Sequence, residues 1–466
     1  MSALQATAIT GERTVLEEGK LKEFQARSRG KLLRPGDDGY DDARKVWNGM
    51  IDRRPALIAC CTGAADVITA VTFAREQGLL VSIRGGGHNV AGNAVCDGGL
   101  MIDLAPMKSV HVDPVARTAR AEPGVLWGEF DRETHAFGLA TTGGFISTTG
   151  IAGLTLGGGQ GWLASKYGFT IDNLLSVDVV TSDGELLTAS ATQQEDLFWA
   201  MRGAGHNFGI VTSFAYRLHP VNTVLGGMVV HPFDRVTDVL RFYREFTAEL
   251  PDELTTGVDI LTEPNGDLVA AMAVCYAGSL DEGERVLAPL RRFGPPVADT
   301  IAPISYIAQQ TMLDESFPYG RLNYWKSSLT DHLSDEVIAA LVDYAKRMPS
   351  PLSSIPIADF HGAYRRVGKT DMAYYHRDLR YDIVIGANWT DPADTERNVQ
   401  WARELYEALQ AHLPHGVYVN DLDRDEGDER VRHAYGENYE RLVTLKQKYD
   451  PTNFFRVNQN IKPTAV

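Results

Sequence analysis

A chain of 466 residues, 44% hydrophobic and 23% charged, is long enough for roughly two or three domains and can bury a sizeable core without staples. A formal charge of −16 argues against nucleic acid or an anionic membrane surface as partner, because phosphate binding needs clustered Lys and Arg. Four cysteines, Cys60, Cys61, Cys96 and Cys275, are too few and too irregularly spaced for a disulfide framework or a zinc site, and read as buried free thiols.

The N-terminal arm MSALQATAITGERTVLEEGK has no apolar signal core. No window approaches ~18 uninterrupted apolar residues, so a cytoplasmic protein with no membrane span is expected. The run 55–63 (PALIACCTG) reads as a buried strand. Over 64–78 the residues Val67, Ile68, Val71 and Ala74 share one helical face, and Gly78 ends the helix. A second strand over 79–87 runs into the glycine loop 84–92 (RGGGHNVAG), the strand-end position that ligands of open α/β layers favour.

Short strands follow at 99–104, 109–113 and 117–124, then a helix over 125–138. Nine glycines from Gly143 to Gly168 predict mostly loop backbone, since each glycine inside a helix or strand costs roughly 0.5–1 kcal/mol. A hairpin turned at Asp183–Gly184 is predicted over 174–190, and helix, glycine turn and strand over 196–221. Beyond 221 glycine thins out. Amphipathic helices such as 234–250 alternate with strands at 267–278, 323–329 and 381–389, the pattern of an α+β region with a largely antiparallel sheet. A helix, a DPTN turn and a short tail close the chain.

Glycines after a strand suggest a GxGxxG dinucleotide site, but the third glycine position is Val90, Trp162 or Phe208 at the three near matches. The stretch AYRRVGKT (363–370) matches a relaxed P-loop only by chance, because Tyr364, Arg365, Arg366 and Val367 are too bulky for a phosphate cradle. No HExxH and no Cys/His ligand pair is present, so no metal is expected, and His361 and His376 read as solvated or packing residues. No GxSxG elbow exists either. The loops 84–92, 143–168 and 203–211 have few basic neighbours (Arg84, Lys166, Arg202). Backbone amides in such turns bind anions without them, and one ligand touching all three loops has the length of a dinucleotide.

Four ordered stretches carry a resemblance: RGGGHN, TTGGFISTTGIAGLTLGGGQGWLASKYGFTIDNL, DLFWAMRGAGHNFGIVTSF and KYDPTNFFRVNQNIKP. From about residue 30 to the C-terminus the chain resembles the berberine bridge enzyme-like flavin oxidases of the vanillyl-alcohol oxidase superfamily, and among them the bacterial, singly tethered group. The resemblance implies an α+β fold. A two-part FAD-binding domain of the PCMH type would occupy 1–220 with a return at 421–466, and a substrate-binding domain with an antiparallel sheet would occupy 221–420. The implied cofactor is FAD, joined covalently to His88 through the flavin 8α carbon.

Around it the resemblance implies Arg84, Gly85, Gly86, Gly87, Asn89, Gly92, Thr148, Gly150, Gly153, Leu154, Gly158, Gly161, Trp162, Gly209, Ile210, Val211, Asn420, Asn458 and Asn460 as cofactor-binding residues. Ile146 occupies the position of the cysteine that gives other members a second link, so one tether is expected. Thr149 stands at the oxygen-gating position and is small enough to leave room for O2. The Y-x-N-Y motif of many relatives reads Tyr418, Asn420 and Asp421 here, with Asp421 in place of the last tyrosine that takes the substrate proton. Tyr418 and Asp421 are the candidate bases, with Tyr324, Tyr375 and His376 behind them. Strand alternation sets Asp421 on the face opposite Tyr418 and Asn420 unless the strand ends or bends.

The implied activity is oxidation of a small or medium organic substrate, of alcohol, amine or secondary-metabolite type, by hydride transfer to flavin N5 with O2 as acceptor. The alternatives are a dehydrogenase with another acceptor, an oxygenase of a polyketide-like substrate, or a drug-binding flavoprotein.

Overall fold

The computed structural model describes residues 4–464; the expected domain limits at residues 1 and 466 lie outside them. In a first, four-stranded sheet, Leu57–Cys60 and Val81–Arg84 both run parallel to Leu100–Asp103, which lies between them, while Leu32–Leu33 pairs antiparallel at the edge. Strands running the same way need a crossover, and the helix Ala64–Glu76 carries the chain from Leu57–Cys60 to Val81–Arg84. Its Val67, Ala70, Val71 and Ala74 pack in one core with Leu57, Val81 and Ile102. The strand end at Arg84 therefore opens directly into the loop 84–92.

A second sheet orders its strands as Leu186–Ser190, Leu174–Val180, Ile210–Arg217, Thr118–Ala121 and Val110–Asp113, every pairing antiparallel. The region 143–168 is mostly loop, as expected, but it also holds two helices. Ile151–Gly157 is a helix and Ala164–Tyr167 a short one. Ile151, Ala152 and Leu156 are buried in the same core as Trp199, Met201 and Phe208. Burying a large aliphatic side chain contributes about 1.5–3 kcal/mol, which outweighs the helix penalty of Gly153 and Gly157.

The third sheet is the largest. Its order is Ala298–Asp299, Thr223–Pro232, Leu268–Tyr276, Leu254–Thr262, Ser354–Asp359, Tyr381–Trp389 and Leu322–Thr330, with Ala302–Ser305 pairing Thr223–Pro232 off this path, all antiparallel. Period-two alternation divides its faces. Ile383, Ile385 and Ala387 enter a core with Tyr243, Leu341 and Leu405 from the helices Val236–Thr247, Asp335–Ala345 and Thr395–Gln410. Asp382, Val384, Gly386 and Asn388 point the other way, into a cavity. The P-loop look-alike is a single helical turn, Ala363–Arg366, whose Arg366 pairs with Asp252.

The C-terminal helices Asp428–Tyr435 and Tyr439–Tyr449 return to the first half, where Val431, Tyr435, Leu442 and Ile461 share a core with Val177 and Phe214. The DPTN turn is locked by a buried ammonium. Lys446 donates to Asp450 (2.7 Å), Asn207 O (2.8 Å) and Phe455 O (2.9 Å), while Asp450 accepts from the amides of Phe454 and Phe455. A second buried pair ties the first half to the segment before the strand Tyr381–Trp389: Arg377 holds both carboxylate oxygens of Asp172 (2.7 and 2.9 Å) amid the rings of Phe169, Tyr364 and Tyr374. Among the described residues no helix is long and apolar enough to cross a membrane, the four cysteines are unpaired, and no His/Cys/Asp/Glu cluster has metal-site geometry.

Candidate active site

A cavity of about 1000 Å³ separates the glycine loops from the small-residue face of the large sheet, where Gly257, Ala271, Ala273, Ala358 and Gly386 form a low floor. That volume stands at the top of the ~300–1,000 Å³ range of ligand pockets, enough for a large cofactor with a substrate beside it. At one end two glycine turns meet backbone to backbone. A Cβ on Gly86 would lie 2.5 Å from the Cα of Gly150, so only glycine lets the loop 84–92 cross the start of the helix Ile151–Gly157.

His88 emerges beside this crossing. Its imidazole stacks on Trp47 with ring centroids 4.3 Å apart and planes 17° from parallel. Its Nε2 is buried without a protein partner, and desolvation holds its pKa down at about 4, so the ring is neutral at pH 7. Ile146 and Thr149 line the same cavity. His206 Nε2 and Asn458 Oδ1, also on the wall, are buried without protein partners. A backbone cradle that a Cβ would fill, with unpartnered polar atoms around it, fits a flavin dinucleotide.

Most of the expected cofactor residues come together on the wall: Gly85, Gly86, Gly87, His88, Asn89, Gly150, Gly153, Leu154, Trp162, Gly209, Ile210, Val211, Asn420 and Asn458. Others stand behind it. Arg84 spends its guanidinium on Asp103 in the neighbouring strand (2.8 Å twice). Gly92 holds a left-handed turn (φ +72°) under Ile51, and Gly161 packs on the carbonyl of Gly143, where a Cβ would sit 1.6 Å away. Gly158 (φ +142°) lets the ring of Tyr418 come close, 3.0 Å from where a Cβ would be. Thr148 and Asn460 each keep a buried, unpartnered side-chain oxygen off the wall.

At the other end, Val419–Asp421 is a 3₁₀ turn rather than a strand. The turn abolishes the alternation, and Tyr418, Asn420 and Asp421 all face the cavity. The Tyr418 hydroxyl accepts from the Gly159 amide (2.9 Å) and the Asn420 side-chain amide (2.7 Å), and burial pushes its pKa well up. Asp421 is raised well above the usual carboxylate range by burial first and then by the charge of Asp382. Asp382 is itself raised by burial, with the hydrogen bond from Gln160 (2.7 Å) opposing, and its other oxygen has no partner.

Tyr324, Tyr375 and His376 are not brought to the wall. The Tyr324 hydroxyl donates to Asp425 (2.7 Å) and accepts from Arg403 (3.0 Å), and His376 Nε2 donates to the carbonyl of His433 (2.6 Å). Asp382, Asp259, Gln160 and Trp47 escaped the sequence reading. The legible signal for Asp382 was an acid inside the otherwise apolar strand YDIVIGANW, a placement that burial makes costly without a function. The wall carries five acids (Asp259, Glu263, Glu315, Asp382, Asp421) against Arg321, its one Lys or Arg among the described residues.

The family model for an FAD binding domain matches residues 55–190, and the model described as berberine and berberine like matches 417–462; these stretches supply the glycine loops 84–92 and 143–168 and the Tyr418–Asp421 turn. The chain is 33% identical over 450 residues to (R)-6-hydroxynicotine oxidase of Paenarthrobacter nicotinovorans, covering 93% of this chain and 97% of that protein. It is 32% identical over 448 residues to an FAD-linked oxidoreductase of Dictyostelium discoideum, covering 95% and 97%. The crystal structure of 6-hydroxy-D-nicotine oxidase from Arthrobacter nicotinovorans aligns with a TM-score of 0.86 at 32% identity, over 93% of this chain and 98% of that one. A chitooligosaccharide oxidase shares the fold (TM-score 0.85, 24% identity, 96% and 100% covered). Fold, site and relatives define an FAD-dependent oxidoreductase. Within that class the chain belongs to the berberine bridge enzyme-like family.

Proposed function

We propose that this enzyme is an oxidase, with FAD joined to His88 alone, acting on an alcohol or amine that carries no negative charge. The residues 1–220 and 421–466 would form the FAD-binding unit and 221–420 the substrate-binding unit. Bound FAD would accept a hydride at its N5 and deliver the two electrons to O2, giving hydrogen peroxide. The observation that carries the reading is the pair Asp382–Asp421 facing the neutral His88 across one cavity.

The two ends divide the work. A neutral, desolvated imidazole keeps a lone pair for bonding to carbon, and Ile146 leaves no thiol for a second link. Thr149 keeps the neighbouring wall small enough to admit O2. Hydride loss from an alcohol or amine requires a group that takes the substrate proton, and the best such group titrates near the working pH. The phenol of Tyr418 is pushed away from neutrality and the two carboxyls are pulled toward it, so Asp421, coupled to Asp382, is the base. Tyr418 then orients the substrate by its hydroxyl.

Once its buried aspartates lose their protons, the wall has five acids against one arginine, a balance that disfavours carboxylate substrates and favours cations. The name of the bacterial relative, a hydroxynicotine oxidase, points the same way. A peroxide-coupled screen of amines, alcohols, sugars and carboxylates tests this. Peroxide with an amine or alcohol and none with the carboxylates is the expected result. Slow reoxidation of the reduced protein in air-saturated buffer would instead establish a dehydrogenase.

A further inference from the structure

Trp47 is fully buried, far in sequence from the family's glycine loops, and fastened at three points. Its amide donates to Gly87 O (2.9 Å), its carbonyl accepts from the Gly320 amide (3.0 Å), and its indole Nε1 donates to Phe317 O (3.0 Å). Beside it the Gly49 amide donates to Arg321 O (2.8 Å), and the Tyr319 hydroxyl donates to Gly86 O (2.7 Å). The segment 317–321, which leads into the strand Leu322–Thr330 of the large sheet, is thus bound on one side to Trp47 and on the other to the glycine loop. Between these fixed parts the indole lies flat on His88 at 4.3 Å, while His88 Nε2 has no partner of its own.

An imidazole with a free Nε2 has little besides packing to set its ring angle, and a nucleophile misplaced by about 1 Å can lose on the order of 10²-fold in rate. The flat face of a clamped indole supplies that angle and keeps water off one side of the ring. Resting on the His88 tether proposed above, we infer that Trp47 is a positioning residue for flavin attachment, holding the His88 ring in the plane from which it bonds to the cofactor. Attachment joins an imidazole nitrogen to the 8α-methyl carbon. The imidazole N–H and one methyl C–H are lost, one C–N bond forms, and the two electrons and two protons pass through the ring to dioxygen as hydrogen peroxide. Since Phe317 and Gly320 fasten Trp47, the segment entering the large sheet controls a reaction at the opposite wall.

The test compares Trp47→Phe, which keeps a ring face, with Trp47→Leu, which has none. Trp47→Met is run beside Leu, because its flexible thioether fills space differently and one folding failure then does not decide the result. Each protein is incubated with excess FAD. Total bound flavin is read by absorbance, and the covalent fraction by flavin that stays with acid-precipitated protein. The aliphatic variants should bind FAD to the wild-type extent but attach it roughly ten- to a hundredfold more slowly, and Phe should stay within about threefold of wild type. Attachment at the wild-type rate in Leu or Met overturns the inference, as does an equal fall in Phe and Leu. A wild-type protein that releases all its flavin to acid overturns the tether itself, and the role of Trp47 with it.

Discussion

The Asn420 side chain donates to the Tyr418 hydroxyl at 2.7 Å, and the Gly159 amide donates to the same oxygen at 2.9 Å. Both acceptor directions are filled, so the phenolic proton is left to point into the cavity. Gly157 makes room for this arrangement, since a Cβ there would fall 2.1 Å from Asn420 Oδ1. Tyr418→Phe removes the hydroxyl proposed to orient the substrate and strands two amides, which costs about 1–3 kcal/mol of stability each when they stay unsatisfied. We expect kcat/KM to fall about 10²-fold, with a modest drop in Tm. Steady-state kinetics on the best substrate of the peroxide screen, beside a thermal melt, checks both. An unchanged kcat/KM would remove Tyr418 from the site's machinery.

Activity should climb with pH through neutrality. Burial pushes Asp382 up to about 7 and raises Asp421 in the same direction, with the charge of Asp382 adding to the shift. The pair titrates as a unit, and its base form appears only as the proton leaves. On the acid side kcat/KM should fall tenfold per pH unit, and the profile should flatten only once Asp421 has lost its proton, at a pH raised well above the usual carboxylate range. Stability runs the other way. Folded-state values raised above about 3.9, the unfolded carboxyl's, contribute stability fully present at low pH and lost as pH rises, for Asp382 through about 7. In Asp382→Asn the repelling charge is gone, so the acid limb should move to lower pH. A limb that stays put would exclude the pair as base.

What the sequence showed and hid follows from the range of the interactions. The helix 64–78 and the strand feeding the loop 84–92 were legible because periodicity and glycine act within a dozen residues. The helix Ile151–Gly157 was not, because Trp199 and Phe208, which bury it, lie some fifty positions on. The Val419–Asp421 turn was read as strand unless the strand ended or bent there, since its hydrogen-bond partners Leu154 and Gly159 lie 266 and 259 residues earlier in the chain. Asp382 and Asp421 are meaningful as a pair, and only the fold brings them to one wall. Trp47 carries no motif; its place on His88 exists solely in three dimensions.

Arg377 and Asp172 are both nearly sequestered from solvent, at 2% and 9% side-chain exposure. Breaking a buried pair from one side leaves an uncompensated charge and costs about 3–5 kcal/mol. Arg377→Met should lower the unfolding free energy measured by chemical denaturation by that amount, because Asp172 stays behind among Phe169 and Tyr364. Adding Asp172→Leu removes the stranded charge and should restore most of the loss. Equal stability of the single and double variants would mean that the pair is not a unit.

His88→Ala separates holding the cofactor from bonding to it. The glycine contacts at Gly86 and Gly150 are backbone and survive the substitution, so FAD should still bind. The nucleophile is gone, and with isoleucine at 146 no thiol replaces it. In wild type the yellow colour should precipitate with the protein in acid; in His88→Ala all of it should stay in the supernatant. Losing a covalent bond at the 8α carbon should also lower the flavin's reduction potential and slow substrate oxidation, while the pH limb set by Asp382 and Asp421 stays where it was. That combination, a slower enzyme with an unmoved limb, distinguishes loss of the tether from damage to the base. A variant that retains acid-stable flavin would place the tether on some other residue.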